Sequence, residues 1–337
     1  MQVQFKLFIL LGIALIGYAG WHTLGQPEFR EATENTTQPK SITVLVGGDV
    51  NMGRLTGQNI LAGDIDFPFK YIADTLKNVD IAFVNLESQL ADLGGETESP
   101  TSEYRFAGPP DGAVSLANAG IDIVSVANNH MWDYGKAKLK ETLDNLRNNE
   151  VLYVGASMDG NKRFDPAVLE IRGKKIAFLA MTNLLNGYEN VGADDYISFQ
   201  NPDAIVAEIE KLKVRSDIDW ILVSLHSGAE YIEKPTQNTV NLAKRFIDAG
   251  ADAILGHHPH VPLPIDVYNK KPIFYSLGNF AFWQPFGFWT ENSFLAKLIL
   301  EKPHEVKYEI IPIDAGWQPE LLTDEESINK LLSRLNS

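Results

Sequence analysis

An α/β fold is predicted from three observations. From Ser41 onward, short β-branched runs alternate with segments of helical period. Five of the runs are apolar almost throughout, as strands covered on both faces are. Each then ends in polar or charged residues. The five are ITVLVGG (42–48), IAFVNLE (81–87), IDIVSVANN (121–129), DWILVSLH (219–226) and ADAILGHH (251–258). Amphipathic segments at 136–148, 202–214 and 236–249 supply crossover helices. Ligands bind beyond the carboxyl ends of such strands, so the five polar ends are expected along one edge of one sheet.

A second strand set has hairpin character. AVLEIRGKKIAFLAM (167–181) and PIDVYNKKPIFYSLG (264–278) fold about Gly-Lys and Asn-Lys turns, and LAKLILE (295–301) pairs with VKYEIIPID (306–314). These predict a second, mixed or antiparallel sheet. Over 316–337, a capping-box sequence at Thr323–Glu326 precedes Ile328, Leu331, Leu332 and Leu335 at helical spacing, which predicts an amphipathic helix packed on the domain surface.

Composition narrows the function. With 337 residues and 45% hydrophobic content, the chain can bury a sizeable core. A formal charge of -15 opposes attraction to phosphate backbones, so no nucleic-acid partner is expected. The absence of cysteine excludes thiolate catalysis, disulfides and a lipidated cysteine anchor, and it leaves His, Asp, Glu and Asn as metal ligands. Residues 1–22 contain the apolar run LFILLGIALIGYAGW after Lys6, which predicts export as a signal anchor or a cleaved signal peptide, with the anchor preferred. The expected location is therefore the cell membrane with the domain outside the cytoplasm, or a secreted or periplasmic form after cleavage. Residues 23–40 read as a polar linker.

The strand ends carry the candidate chemistry. In GGDVNMGR, Asp49 follows two glycines that allow a tight turn, and it either ligates a cation or caps the next helix. Arg54 there either binds an anionic substrate or pairs with Asp49 or Glu87. In N-L-E-S, Asn85 and Glu87 fall on one strand face. In ANNHMWDYG, Asn128, Asn129 and His130 adjoin, and Asp133 is placed to orient and charge the His130 ring. HSGAEY brings His226 and Glu230. GHHPH holds three of the chain's seven histidines within four positions. Ser227 adjoins His226, but strand neighbours point apart and no G-x-S-x-G elbow exists, so a Ser-His-Asp hydrolase is disfavoured. No Walker A or G-x-G-x-x-G sequence is present.

The ordered motifs G-D-V-N-M-G-R, N-L-E-S, A-N-N-H-M-W-D-Y-G, H-S-G-A-E-Y, G-H-H-P-H-V and Y-S-L-G-N-F resemble the CapA or PgsA family of bacterial capsule and poly-γ-glutamate synthesis proteins, over roughly 41–315. That family is similar in turn to the calcineurin-like metallophosphoesterases, which implies a two-sheet αββα sandwich. The resemblance implies one or two divalent ions (Zn, Mn or Fe), with Asp49 and His260 at the first position, Glu87 bridging, and Asn129, His226 and His258 at the second. It implies His130 and Asp133 as the catalytic pair and Arg54, Asn128, Glu230 and Asn279 as substrate contacts. His258 and His260 are preferred over His257 because they keep the H-x-H spacing. Phosphoesterases open with D-x-H, whereas this chain has Asn51, which predicts a weaker first position. The implied activity is hydrolysis or transfer on a surface polymer or its precursor. The alternative is a non-catalytic polymer-binding or assembly subunit. Implied partners are the polymer, the membrane through the N-terminal segment, and capsule or polyglutamate synthase subunits.

Overall fold

The structure is a computed structural model that describes residues 41–186 and 192–337. The predicted anchor and linker, residues 1–40, lie outside the described residues. Two sheets stack face to face with helices on both outer sides, an αββα sandwich. One sheet runs in the order Glu320–Leu321, Lys307–Asp314, Asn292–Leu300, Ile42–Val50, Ile81–Leu86, Ile123–Ser125, Leu152–Val154. The strands from 42–50 to 152–154 are mutually parallel, and 292–300 joins them antiparallel. The other sheet runs Ile265–Tyr268, Lys271–Phe274, Ala253–His257, Trp220–His226, Lys174–Thr182, Ala167–Ile171, parallel except for its two edge strands.

The five apolar runs therefore do not share one sheet. Three belong to the first, while 220–226 and 253–257 belong to the second. The hairpins at 167–181 and 264–278 extend the second sheet, and the 292–314 pair extends the first. Apolar runs report burial on both faces, and here both sheets have both faces covered.

Three cores follow from strand alternation. Val44, Val46, Phe83 and Phe294 of one sheet meet Phe178, Trp220, Leu222 and Phe274 of the other, with Phe83 and Phe178 stacked at 5.6 Å. Leu116, Leu139, Leu143 and Leu146 cover the outer face of the first sheet over Leu45, Val84 and Val124. Ile205, Ile209, Phe246 and Ile247 cover the second over Leu179, Ile221, Val223 and Ile254. Those helices span Gly112–Ala119, Gly135–Asn148, Pro202–Lys213 and Gln237–Ala249.

The last helix, Glu325–Leu335, buries Leu331 and Leu335 against the core between the sheets. Its cap is Asp324 rather than the predicted Thr323. The Asp324 carboxylate accepts from the Ser327 amide at 2.9 Å, satisfying a donor that the first helical turn leaves open.

Candidate metal centre

Asp49 emerges from the first sheet at an irregularity. Val46 pairs with Phe83 but Asp49 pairs with Asn85, so one extra residue is inserted at Gly47-Gly48. Gly48 is required there, because a Cβ would lie 1.9 Å from the Gly278 carbonyl oxygen. That close approach lets Asp49 form a parallel bridge with Asn279. The Asp49 carboxylate is fully buried. Its Oδ1 accepts from Asn85 Nδ2 at 2.8 Å and lies 3.4 Å from His257 Nδ1. Its Oδ2 accepts from the His258 amide at 3.3 Å and stands 3.3 Å from His260 Nδ1. Burial alone would raise its pKa, but the His257 and His260 imidazoles hold it well below the usual range.

Glu87, also fully buried, stands between the two sheets' strand ends. Its Oε1 is 3.6 Å from His226 Nε2 and 3.8 Å from His260 Nε2. Burial, followed by repulsion from Asp49, pushes its carboxyl well above the ordinary value. Two clusters result, Asp49–Glu87–His260 and Glu87–His226–His258, each with ligand atoms within 4.8 Å of one another and Glu87 common to both. The histidines arrive through a tight turn in which His258 (φ 99°) and His260 (φ 58°) both take positive φ around Pro259. Each such residue costs roughly 1–3 kcal/mol, strain that the surrounding fold must hold.

The donor chemistry fits a divalent cation. Burial, then repulsion from His258, lowers the His226 pKa well below its ordinary value, and burial with His260 lowers that of His258 to about 3. Both rings are thus neutral, the form that offers a lone pair to a metal. Glu87 Oε1 and His258 Nδ1 are buried without a hydrogen-bond partner. Buried acceptors left unsatisfied cost about 1–3 kcal/mol each, and a cation among them would relieve that cost.

The 126–135 segment adds a second layer. Asn129 Oδ1 lies 2.7 Å from His226 Nε2. His130 Nδ1 is 2.8 Å from Asp133 Oδ2, and its ring packs 4.4 Å from that of Phe106. Asp133 Oδ2 also accepts from the Phe106 amide at 3.0 Å, and the Arg105 guanidinium donates to the Asp133 carbonyl. Asn128 braces this layer: its amide donates to Asn85 Oδ1 (3.1 Å) and to the Leu86 carbonyl (2.7 Å), while its Oδ1 accepts from the His130 amide.

The other predicted residues lie around this core. Asn279 Oδ1 meets His260 Nδ1 at 3.0 Å, and its amide donates to Gln284 Oε1 and the Thr290 carbonyl. Arg54 stands over the Phe106 ring at 4.5 Å and pairs with Glu98 at 3.5 Å. Glu230 is exposed beside Tyr231, whose ring lies 6.1 Å from that of His260. Asn51 commits its Oδ1 to the Gly53 amide in the turn at 2.8 Å. Ser227 turns away from His226 to the Thr239 hydroxyl at 2.9 Å. Asn85, which alternation places beside Glu87, proves central, with Nδ2 reaching Asp49, Glu87 and His226 Nδ1. Asn186 carries no motif, yet its amide touches Asn129, His130 and Asp133.

Among solved structures, a phosphatase from Mycoplasma pneumoniae superposes with a TM-score of 0.49 at 16% identity, over 88% of this chain and 99% of that chain. The chain is 30% identical over 281 residues to the capsule biosynthesis protein CapA of Bacillus anthracis, covering 82% of this chain and 68% of that one. It is 31% identical over 273 residues to the PGA biosynthesis protein CapA of Bacillus subtilis (strain 168), covering 79% and 70%. The family described as bacterial capsule synthesis protein PGA_cap matches residues 43–284, and with these relatives it shows that the chain belongs to that family.

Proposed function

We propose that this protein serves capsule or poly-γ-glutamate biosynthesis as a metal-dependent hydrolase or transferase acting on a surface polymer or its precursor. The observation that carries the reading is Glu87, a fully buried carboxylate common to two His-containing clusters, with one oxygen lacking a hydrogen-bond partner. Asp49, Glu87 and His260 would hold one divalent ion, and Glu87, His226 and His258, with the Asn129 amide oxygen, a second. Zinc, manganese and iron suit this mixture of imidazole, carboxylate and amide. Held by these residues, a cation would supply Lewis-acid chemistry, activating water and offsetting charge that builds on the attacked group.

The chain's own residues supply the rest. Asp133 takes the Nδ1 side of His130, which leaves Nε2 to carry a proton to a leaving group. Arg54, beside Phe106, would hold an anionic group of the substrate. The names of the two CapA relatives support a capsule or PGA context. In this reading the domain works outside the cytoplasm, tethered or released according to the fate of residues 1–22. Among the described residues no helix is long and apolar enough to cross a membrane.

One observation favours a second reading. Asn51 occupies the D-x-H position with its oxygen committed to the Gly53 amide, so the Asp49 cluster has one ligand fewer than that pattern provides. A non-catalytic polymer-binding or assembly subunit would tolerate that loss. Elemental analysis of the purified full chain, with turnover assays on phosphoesters and γ-glutamyl peptides, separates the two. Less than one metal per chain, together with a His258→Ala variant that still complements a deletion strain, would sink the catalytic reading.

A further inference from the structure

The geometry assigns Asn186 as a positioning residue that fixes which end of the Asn129 amide faces the metal centre, by relaying the acceptor character of Asp133. The inference rests on the metal reading above. Asn186 Nδ2 lies 3.3 Å from Asp133 Oδ1, and Asn186 Oδ1 accepts from Asn129 Nδ2 at 2.9 Å. Asn129 Oδ1 then points the other way, 2.7 Å from His226 Nε2.

The order of these contacts follows from donor and acceptor inventory. A carboxylate only accepts, so Asn186 turns its NH2 toward Asp133 and its oxygen toward Asn129. Asn129 must answer with its own NH2, and its oxygen is left facing His226. Were Asn129 flipped, two amide oxygens would meet at 2.9 Å, and an NH2 without a lone pair would face the cluster. The two ends of an amide have nearly the same shape, so packing does not choose between them; hydrogen bonding does. The same carboxylate fixes His130. Its Oδ2 lies 2.8 Å from His130 Nδ1, which must carry a proton, since a bare nitrogen there would repel the carboxylate. Asn186 Nδ2, 3.1 Å from that nitrogen, is therefore directed to Asp133 rather than to the ring. One amide thus ties the candidate ligand Asn129 to the His130–Asp133 pair.

Two variants of the full chain test this. Asn186→Leu keeps the approximate shape of the side chain but carries neither the donor for Asp133 nor the acceptor for Asn129, and Asn186→Ala removes both contacts. After chelation, titration calorimetry with Mn2+ should show affinity for both variants reduced by about 10–100-fold, the loss typical of residues that orient a ligand from behind. A space-filling role would leave Asn186→Leu unaffected, so Mn2+ affinity within about twofold of wild type in that variant overturns the proposal. Side-chain amide NMR of the metal-free protein, with the Asn129 signal assigned from Asn129→Ala, gives a readout that needs no metal. Slow exchange of the Asn129 amide protons should be lost in both variants, and retained protection overturns the proposal. A wild-type chain that binds no Mn2+, Zn2+ or Fe2+ would instead overturn the metal reading, and the amide exchange then still decides the orientation.

Discussion

Glu87 Oε1 lies 3.6 Å from His226 Nε2, with both side chains fully buried and the oxygen lacking a hydrogen-bond partner. A carboxylate in that setting opposes folding unless a cation or proton joins it, and Asp49 nearby adds like charge.

Glu87→Gln should therefore separate stability from binding. In chelator-treated protein the variant is expected to be more stable by about 1 kcal/mol, since it removes a buried charge whose oxygen has no partner. Metal content should fall toward zero in the same variant. Thermal unfolding with chelator and elemental analysis without it read the two effects. A variant that is destabilised in chelator would contradict the account of Glu87 as an uncompensated charge.

Asp80 ties the two sheets at the edge opposite that chemistry. Its Oδ2 accepts from the Thr43 amide (2.8 Å) and hydroxyl (3.0 Å), and Arg172 bonds both of its oxygens. The Arg172 guanidinium is the main cause that holds its pKa down to about 2. A depressed carboxyl contributes stability above its unfolded value of ~3.9, and that contribution is lost as pH falls toward 2. Asp80→Asn should cost about 1–2 kcal/mol at pH 7, after discounting for the exposed Arg172, and little at pH 2. Urea unfolding at both pH values checks this, and an equal loss at the two would count against the charge-based account.

Much of the site was legible because polar residues that end apolar runs are expensive to bury without a purpose. Asp49, Glu87, His226, His258 and His260 all stand at such ends, and they meet in two clusters. The sheet that each run joins was not legible, because 220–226 and 253–257 are as apolar as 42–50 and pairing is decided by long-range contacts. Asn186 was invisible for another reason. It follows the 174–182 strand in a stretch where asparagine is an ordinary turn residue, and its role depends on partners over 50 positions away.

Asp252 tests the packing beneath the second sheet. It is buried and accepts from the Ile221 amide (2.9 Å), while Lys271 Nζ lies 2.5 Å and His304 Nδ1 3.1 Å from its oxygens. Lys271→Met should destabilise by about 3 kcal/mol, because removing one partner leaves a buried carboxylate with less compensation. Adding Asp252→Asn to that variant should recover part of the loss. A double variant whose cost equals the sum of the two singles, measured by urea denaturation, would show that the pair does not interact.

His257 separates support from ligation. It lies in neither cluster, yet its ring is fully buried, 6.2 Å from that of Phe83, with Nδ1 3.4 Å from Asp49 Oδ1. Its imidazole helps to hold Asp49 as a carboxylate, which makes it a support for a candidate ligand. His258, by contrast, belongs to the Glu87–His226 cluster. His257→Phe keeps a ring against Phe83 and removes only the nitrogens, so the fold should persist while metal affinity drops about tenfold with unchanged stoichiometry. His258→Ala should instead remove a metal position and lower the stoichiometry. Calorimetric titration of both variants distinguishes a weaker site from a missing one. If His257→Phe loses a whole equivalent of metal, His257 is itself a ligand, and the spacing that selects His258 and His260 is the wrong guide to this turn.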